Sequence, residues 1–308
     1  MNEKILDAVR RSDAIPSMPQ IVTRLLEITK DPNYEQKDVV SLLSTDPGVA
    51  SDVLRLANSA LFGVTRKVGS LNQAVALLGM KRVRTMVVGR CMADRVNAGA
   101  NSQLDSSYYW RRSVTTAALS AQFADQVIPQ RREEAFMSGL LSDIGVVVLA
   151  KAFPTEYGPV AESYSPLNSA GLIEREQDAL GVTHAEISAL VLERWMLPED
   201  MVSAIRHHHD RPLPELTEPA TKLAGIVGGS SDVARLLCEA PDKNIIHTVC
   251  TEAMQVVGLN VETLQHALEK IEPVIGELAE ILRIDVIPSR VYSLIAETVA
   301  ENLTTTAS

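Results

Sequence analysis

Apolar residues recur at three-to-four spacing along most of this chain, and the runs begin at recognisable helix starts. With aromatics at only 4%, helix is the default reading. Pro19 opens a run through Ile21, Val22, Leu25, Leu26 and Ile28. Asp46-Pro47 supplies an N-cap and a first-turn proline before Val49, Val53, Leu54 and Leu56. Ser70 is placed to cap Ala74, Val75, Leu77 and Leu78, and Gly79 to end that helix as its C-terminal glycine. A second helix follows at once through Val83, Met86, Val87 and Cys91.

The polar, small-residue stretch 97–107 interrupts the pattern and marks a first boundary. Helices are then expected over residues 110–127 and 133–150, the second with Phe136, Leu140, Leu141, Ile144, Val147 and Val148 on one side. Val146-Val147-Val148-Leu149 would suit a buried strand by propensity, but it lies in a longer helical period with acidic residues in its first turn. Thr183-His184-Ala185-Glu186 matches a capping box before Ile187, Leu190 and Val191, in a helix ending near Trp195. Pro198 starts the next helix, Glu199 and Asp200 fill its first turn, and Arg206 with three histidines closes it. Three prolines make residues 211–219 a loop. A last helical block is expected over 243–302, interrupted near 258–261 and at Pro288, with no fixed-period repeat.

Charge narrows the function classes. Lys plus Arg number 29 against 39 Asp plus Glu, a net charge of −10. No block of more than three consecutive basic residues occurs, which argues against capture of nucleic acid or anionic membrane by charge. At 308 residues, 46% hydrophobic and 22% charged, the chain has the makings of an ordinary globular core. Its purely apolar stretches, such as residues 144–150, fall short of the roughly 20 residues of a bilayer span, so no membrane span is expected. A polar start and three cysteines without CxxC spacing (Cys91, Cys238, Cys250) lead us to expect a cytoplasmic protein.

Metal-capable or acid/base chemistry concentrates at His207-His208-His209-Asp210, with His184 at a separate helix start and Ser142-Asp143 within an earlier helix. Consecutive helical residues point about 100° apart, so at most two of the three adjacent histidines can meet one ion. The blander reading of such a run is compensation of a helix dipole. Ser142 lacks an identifiable base, Glu186 is accounted for by capping, and Gly225, Gly228 and Gly229 read as close helix packing or a turn.

Together these segments resemble the HDOD family, the HD-related output domains of bacterial signalling proteins, an all-helical branch of the HD phosphohydrolase superfamily. The resemblance covers roughly residues 15–232. It rests on Ile15-Pro16-Ser17-Met18-Pro19, on residues 42–63 with Asp46-Pro47 and Asn58-Ser59-Ala60-Leu61-Phe62-Gly63, and on residues 70–79 ending Leu77-Leu78-Gly79. Gly139-Leu140-Leu141-Ser142-Asp143-Ile144-Gly145, His184-Ala185-Glu186-Ile187 and His208-His209 follow in family order. It implies an all-α fold: an N-terminal helical subdomain over 1–105, an HD-like core over 106–235, and C-terminal helices over 236–308 that pack on the core or mediate association.

The same resemblance implies a degenerate site. Where catalytic HD enzymes place a first histidine this chain has Arg112, and the histidine of the His-Asp pair is Ser142 beside a kept Asp143. The closing aspartate falls near Ser231 or Asp232, while His184, His208 and His209 are kept. A two-metal clamp on the attacking and leaving oxygens is then incomplete, and a guanidinium near Asp143 would repel a divalent ion. Two readings of the remainder stay open: a mononuclear transition-metal site of Asp143, His184, His208 and His209, with His207 outside it, or a buried hydrogen-bonded relic without metal. The function implied is a non-catalytic signalling module acting on partner proteins, with homo-oligomer formation a further form of association. The competing classes are a metal-dependent phosphohydrolase acting on a nucleotide or phosphoester, and a DNA-associated regulator suggested by Lys81, Arg82 and Arg84 after Leu77-Leu78-Gly79-Met80.

Overall fold

The computed structural model describes residues 2–31, 33–58, 67–98, 103–166, 170–239 and 243–282. Among them are sixteen α-helices, a 3-10 turn at Pro129–Arg131 and no strand, so the fold is all-α. Residues 59–63, and the last helical block beyond Leu282 with its interruption at Pro288, lie outside the described residues.

The chain clusters into two compact units. One is built from Pro16–Ala98 with residues from Glu277, and holds α2 (Gln20–Lys30), α3 (Gln36–Leu43), α4 (Pro47–Ala57), α5 (Leu71–Leu78) and α6 (Met80–Ala98). Its helix starts follow local chemistry: Asp46 accepts from the backbone N–H groups of Gly48 and Val49, and Ser70 from that of Gln73. Gly79 then turns the chain at φ 75°, a left-handed value that glycine takes without strain. The carboxylate of Asp52, buried on α4, is held by Arg90 on α6 at 3.1 Å and by Arg55 at 3.3 Å.

The other unit draws on Met1–Ile15 and Gly99–Gly276. It contains α1 (Glu3–Arg11), α7 (Ser106–Val127), α8 (Arg132–Leu141), α9 (Ile144–Ala152), α10 (Gly158–Ser163) and α11 (Leu172–Leu180). It continues through α12 (His184–Arg194), α13 (Glu199–Arg206), α14 (Glu218–Cys238), α15 (Lys243–Val257) and the greater part of α16 (Val261–Leu282). Helix α7 is the centre of this unit, with α8 and α14 packed along it. Its run Thr115-Thr116-Ala117-Ala118 is buried and small, so neighbouring backbones come close.

Met1–Ile15, α15 and the greater part of α16 belong to the core unit. Met1–Ile15 clusters with the core unit because Asn2 donates to the carbonyls of Leu180 and Gly181, and Lys151 donates to Asp13 O. Residues past 235 also pack on the core, since Gly225 and Gly229 let α15 approach α14 so closely that a Cβ at Gly225 would lie 2.8 Å from Val256 O. Helix α7 begins at Ser106, earlier than its apolar period suggests, because Asp105 caps it by accepting from Tyr108 N. The single helix expected over 133–150 is two: α8 ends at Leu141 and α9 begins at Ile144, with Ser142 and Asp143 turning between them. Helix α13 stops at Arg206, so the three histidines follow it instead of forming its last turn.

The stretch Pro129–Ala152 is apolar enough to cross a membrane by length and composition, with a mean hydropathy of 1.6 over its most apolar 18 residues, yet 83% of those residues are buried within the fold. Its break at Ser142 and Asp143 brings polar groups into the core, where the site lies.

Two glycines set the distances there. A Cβ on Gly145 of α9 would fall 2.1 Å from His184 O, and one on Gly228 of α14 would fall 2.1 Å from His208 O. Both contacts are with backbone, which cannot rotate away. Gly228→Ala is therefore expected to destabilise by at least about 1 to 3 kcal/mol through overpacking. Gly276→Ala, at a helical position with nothing within 4 Å, is expected to be neutral or stabilising by up to about 1 kcal/mol from helix propensity. Urea denaturation midpoints of the two variants check this contrast.

Candidate metal centre

Asp143 occupies the N-cap position of α9, where a carboxylate ordinarily accepts from the first backbone N–H groups. It makes no such cap. Its Oδ2 accepts from the Tyr164 hydroxyl at 2.5 Å and lies 3.9 Å from the Arg112 guanidinium, while Oδ1 lies 3.7 Å from His184 Nε2. The side chain is only 3% exposed, so a charge placed there needs these partners. Burial opposes its ionisation, but His184, Arg112 and His208 together with the Tyr164 hydroxyl outweigh it and hold Asp143 below the usual carboxylate range.

His184 is the first residue of α12, whose N-terminus is closed by the capping box of Thr183 and Glu186 that the sequence shows. Its Nδ1 lies 2.9 Å from Glu176 Oε2, which also accepts from its backbone N–H at 2.7 Å. Burial alone would lower the pKa of His184, but Glu176 by charge and hydrogen bond raises it above the ordinary histidine value. His208 and His209 reach the same point because the chain has left α13. The Nδ1–H of His208 donates to Ile205 O at 2.6 Å, and its fully buried Nε2 has no hydrogen-bond partner. His209 Nε2 is 3.1 Å from His184 Nε2. Burial, reinforced by His184, pushes His208 down to about 4, and burial with both neighbouring imidazoles pushes His209 well below the histidine range.

The structure thus brings Asp143, His184, His208 and His209 together, one ligand atom from each lying within 4.8 Å of all the others. Three imidazoles and a carboxylate suit a transition ion, and the unpartnered Nε2 of His208 is the atom that an ion would satisfy. His207 lies apart and pairs with Asp210 at 2.7 Å.

The remaining positions surround Asp143 from the other side. Arg112 projects from α7 into the core, donating to Ser231 Oγ at 3.0 Å and Tyr108 Oη at 3.3 Å, with the rings of Tyr108 and Tyr164 beneath its guanidinium. Ser142 Oγ lies 3.1 Å from both Gly139 O and Asp143 Oδ1. Of the two candidates for the closing position, Ser231 faces the site, whereas Asp232 pairs with Arg211 at 3.3 Å at the surface. Among the described residues, the side of Asp143 away from the histidines thus carries a guanidinium and the hydroxyls of Ser142 and Ser231.

Glu176, Tyr164, Tyr157 and Tyr108 were not singled out from the sequence. A signal existed for Glu176: it stands between Leu172 and Leu180 on the buried face of α11, an acidic residue where the period calls for an apolar one. The tyrosines carried none, since buried aromatics usually serve packing.

The sequence matches the profile of the HDOD domain over residues 15–211. An uncharacterised protein of Treponema pallidum is 28% identical over 269 residues, covering 84% of this chain and 51% of its own length. The chain therefore spans about half the length of that relative. A crystal structure of an HDOD domain protein of unknown function from Geobacter sulfurreducens superposes with a TM-score of 0.74 at 20% identity, covering 91% of this chain and 98% of that one. A Shewanella amazonensis protein whose name assigns it provisionally to the phosphohydrolases superposes at 0.72 with 25% identity and the same coverages.

Removing one partner of the buried Arg112–Asp143 pair strands the other charge, so Arg112→Ala is expected to destabilise by about 3 to 5 kcal/mol in chemical denaturation. An unchanged midpoint would contradict a paired guanidinium. The depressed His208 gives a pH dependence of known sign. Between the unfolded value of about 6.5 and the folded value of about 4, the unfolded chain binds a proton that the folded chain refuses. Metal-free protein should keep this stability above about pH 6.5 and lose on the order of 3 kcal/mol as pH falls to 4. His209 acts in the same direction. Denaturation curves across this range should flatten in His208→Asn, which keeps the donor to Ile205 O but not the titrating ring.

Proposed function

Because the chain belongs to the HDOD family, we propose that it is a regulatory module that works through contacts with signalling proteins and does not hydrolyse phosphoesters. The observation that carries this reading is the buried guanidinium of Arg112, 3.9 Å from Asp143. Phosphoester hydrolysis in a two-metal site needs an ion on each side of the displacement. Here a permanent cation and two hydroxyls stand on one side.

On the other side, Asp143, His184, His208 and His209 would hold a single transition ion. When bound, it would supply Lewis acidity and a cross-link between the starts of α9 and α12 and the end of α13. Such a centre couples the spacing of three helices to occupancy, which is what a regulatory element requires. The relic reading keeps one observation in its favour: 3.1 Å between His184 Nε2 and His209 Nε2 also suits a direct hydrogen bond. The net charge of −10 favours a protein partner over nucleic acid, in a cytoplasmic setting.

Two measurements test the proposal. Assays of the tag-free chain with cyclic dinucleotides, nucleoside triphosphates and simple phosphoesters should give no turnover above that of Asp143→Ala. A rate on the order of 1 s⁻¹ that vanished in Asp143→Ala would restore the phosphohydrolase reading. Elemental analysis after incubation with zinc, iron or manganese should find one ion per chain, lost in His208→Ala and His209→Ala and kept in His207→Ala. A chain that stays metal-free would leave the histidines as a hydrogen-bonded relic.

A further inference from the structure

Glu176 is 0% exposed, the most deeply buried acidic side chain among the described residues. It lies on α11, outside every segment that carries the ligands. Its two oxygens are fully committed. Oε1 accepts from the Tyr157 hydroxyl at 2.6 Å, and Oε2 accepts from the backbone N–H of His184 at 2.7 Å with Nδ1 of the same residue at 2.9 Å.

A carboxylate can only accept from Nδ1, so Nδ1 of His184 carries a proton in either charge state, and in the neutral ring that a metal requires the lone pair is on Nε2. That lone pair is directed at His209 Nε2, 3.1 Å away, and Asp143 Oδ1, 3.7 Å away. Ile205 O does the same for His208, leaving its Nε2 bare. Two imidazoles are therefore preset in the ligating tautomer by acceptors from two different elements. The acceptors are unequal, since one is a carbonyl and the other a carboxylate, which raises the basicity of the ring more strongly.

We propose that Glu176 is a positioning residue of the metal centre, fixing the tautomer and direction of His184 and strengthening it as a donor. The proposal rests on the one-ion reading above. Glu176 also accepts from the first N–H of α12, and a purely structural cap would need nothing more. Stability cannot separate the two roles. Affinity and tautomer can.

The experiment titrates zinc into the full chain in competition with a chromophoric chelator. It compares the wild type with Glu176→Gln, which keeps size and an acceptor, and with Glu186→Gln, which alters the cap of the same helix without touching the imidazole. Glu176→Gln is expected to weaken zinc binding by about 10- to 100-fold, while Glu186→Gln leaves it unchanged. Equal affinities for wild type and Glu176→Gln overturn the proposal. ¹⁵N spectra of the metal-free wild type, followed to a pH above the titration of His184, read the tautomer directly and require no variant to fold: a proton on Nδ1 of the neutral ring is expected, and a neutral ring protonated on Nε2 overturns the assignment. A wild type that takes up no zinc overturns the one-ion reading and the affinity claim with it, while the spectra still decide whether Glu176 sets the tautomer.

Discussion

The core unit is organised around one ionised carboxylate that water does not reach. Asp143 lies among apolar helices, and a lone charge there would be strongly disfavoured. It is accommodated because three groups from separate elements meet it: the Arg112 guanidinium from α7, the Tyr164 hydroxyl after α10, and His184 at the start of α12. Each is itself buried and held by further partners. Arg112 is braced by Ser231 and Tyr108, and His184 by Glu176. The polar interior is thus a connected set, and removing a member leaves the others unsatisfied.

This requirement explains two departures from regular helix. An unbroken helix through residues 133–150 would point Asp143 according to its 3.6-residue period. The turn between α8 and α9 frees the side chain to meet its partners instead of capping α9. Ser188 steadies that turn by accepting from Gly145 N at 2.8 Å and donating to Ser142 O at 2.6 Å. Likewise, α13 ends at Arg206, and the non-helical path that follows lets two adjacent histidines face one point.

What was legible in the sequence was what is decided locally. The caps at Asp46, Ser70 and Thr183 depend on residues three positions away, and the helices they begin are where the apolar period put them. The family resemblance named Arg112, Asp143, His184, His208 and His209, all of which the structure places side by side. The supporting groups were hidden because their partners are distant: Tyr164 reaches Asp143 from 21 positions on, and Ser188 reaches Gly145 across 43. The attachment of Met1–Ile15 to the core was hidden for the same reason, since Asn2 bonds to Leu180 across 178 positions. Sequence periodicity records which face of a helix is buried, but not what it is buried against.

The two close glycine contacts bear on how such a site can change. At Gly145 and Gly228 the neighbouring helix rests on main-chain carbonyls of His184 and His208, not on their rings. The scaffold therefore registers the position of each histidine segment without sensing which side chain it carries. Frame and contents are separable: exchanging imidazole, hydroxyl or guanidinium at a facing position alters the chemistry available inside while the helices keep their places. A fold held in this way can carry different side chains at positions 112 and 142 inside an unchanged helical frame.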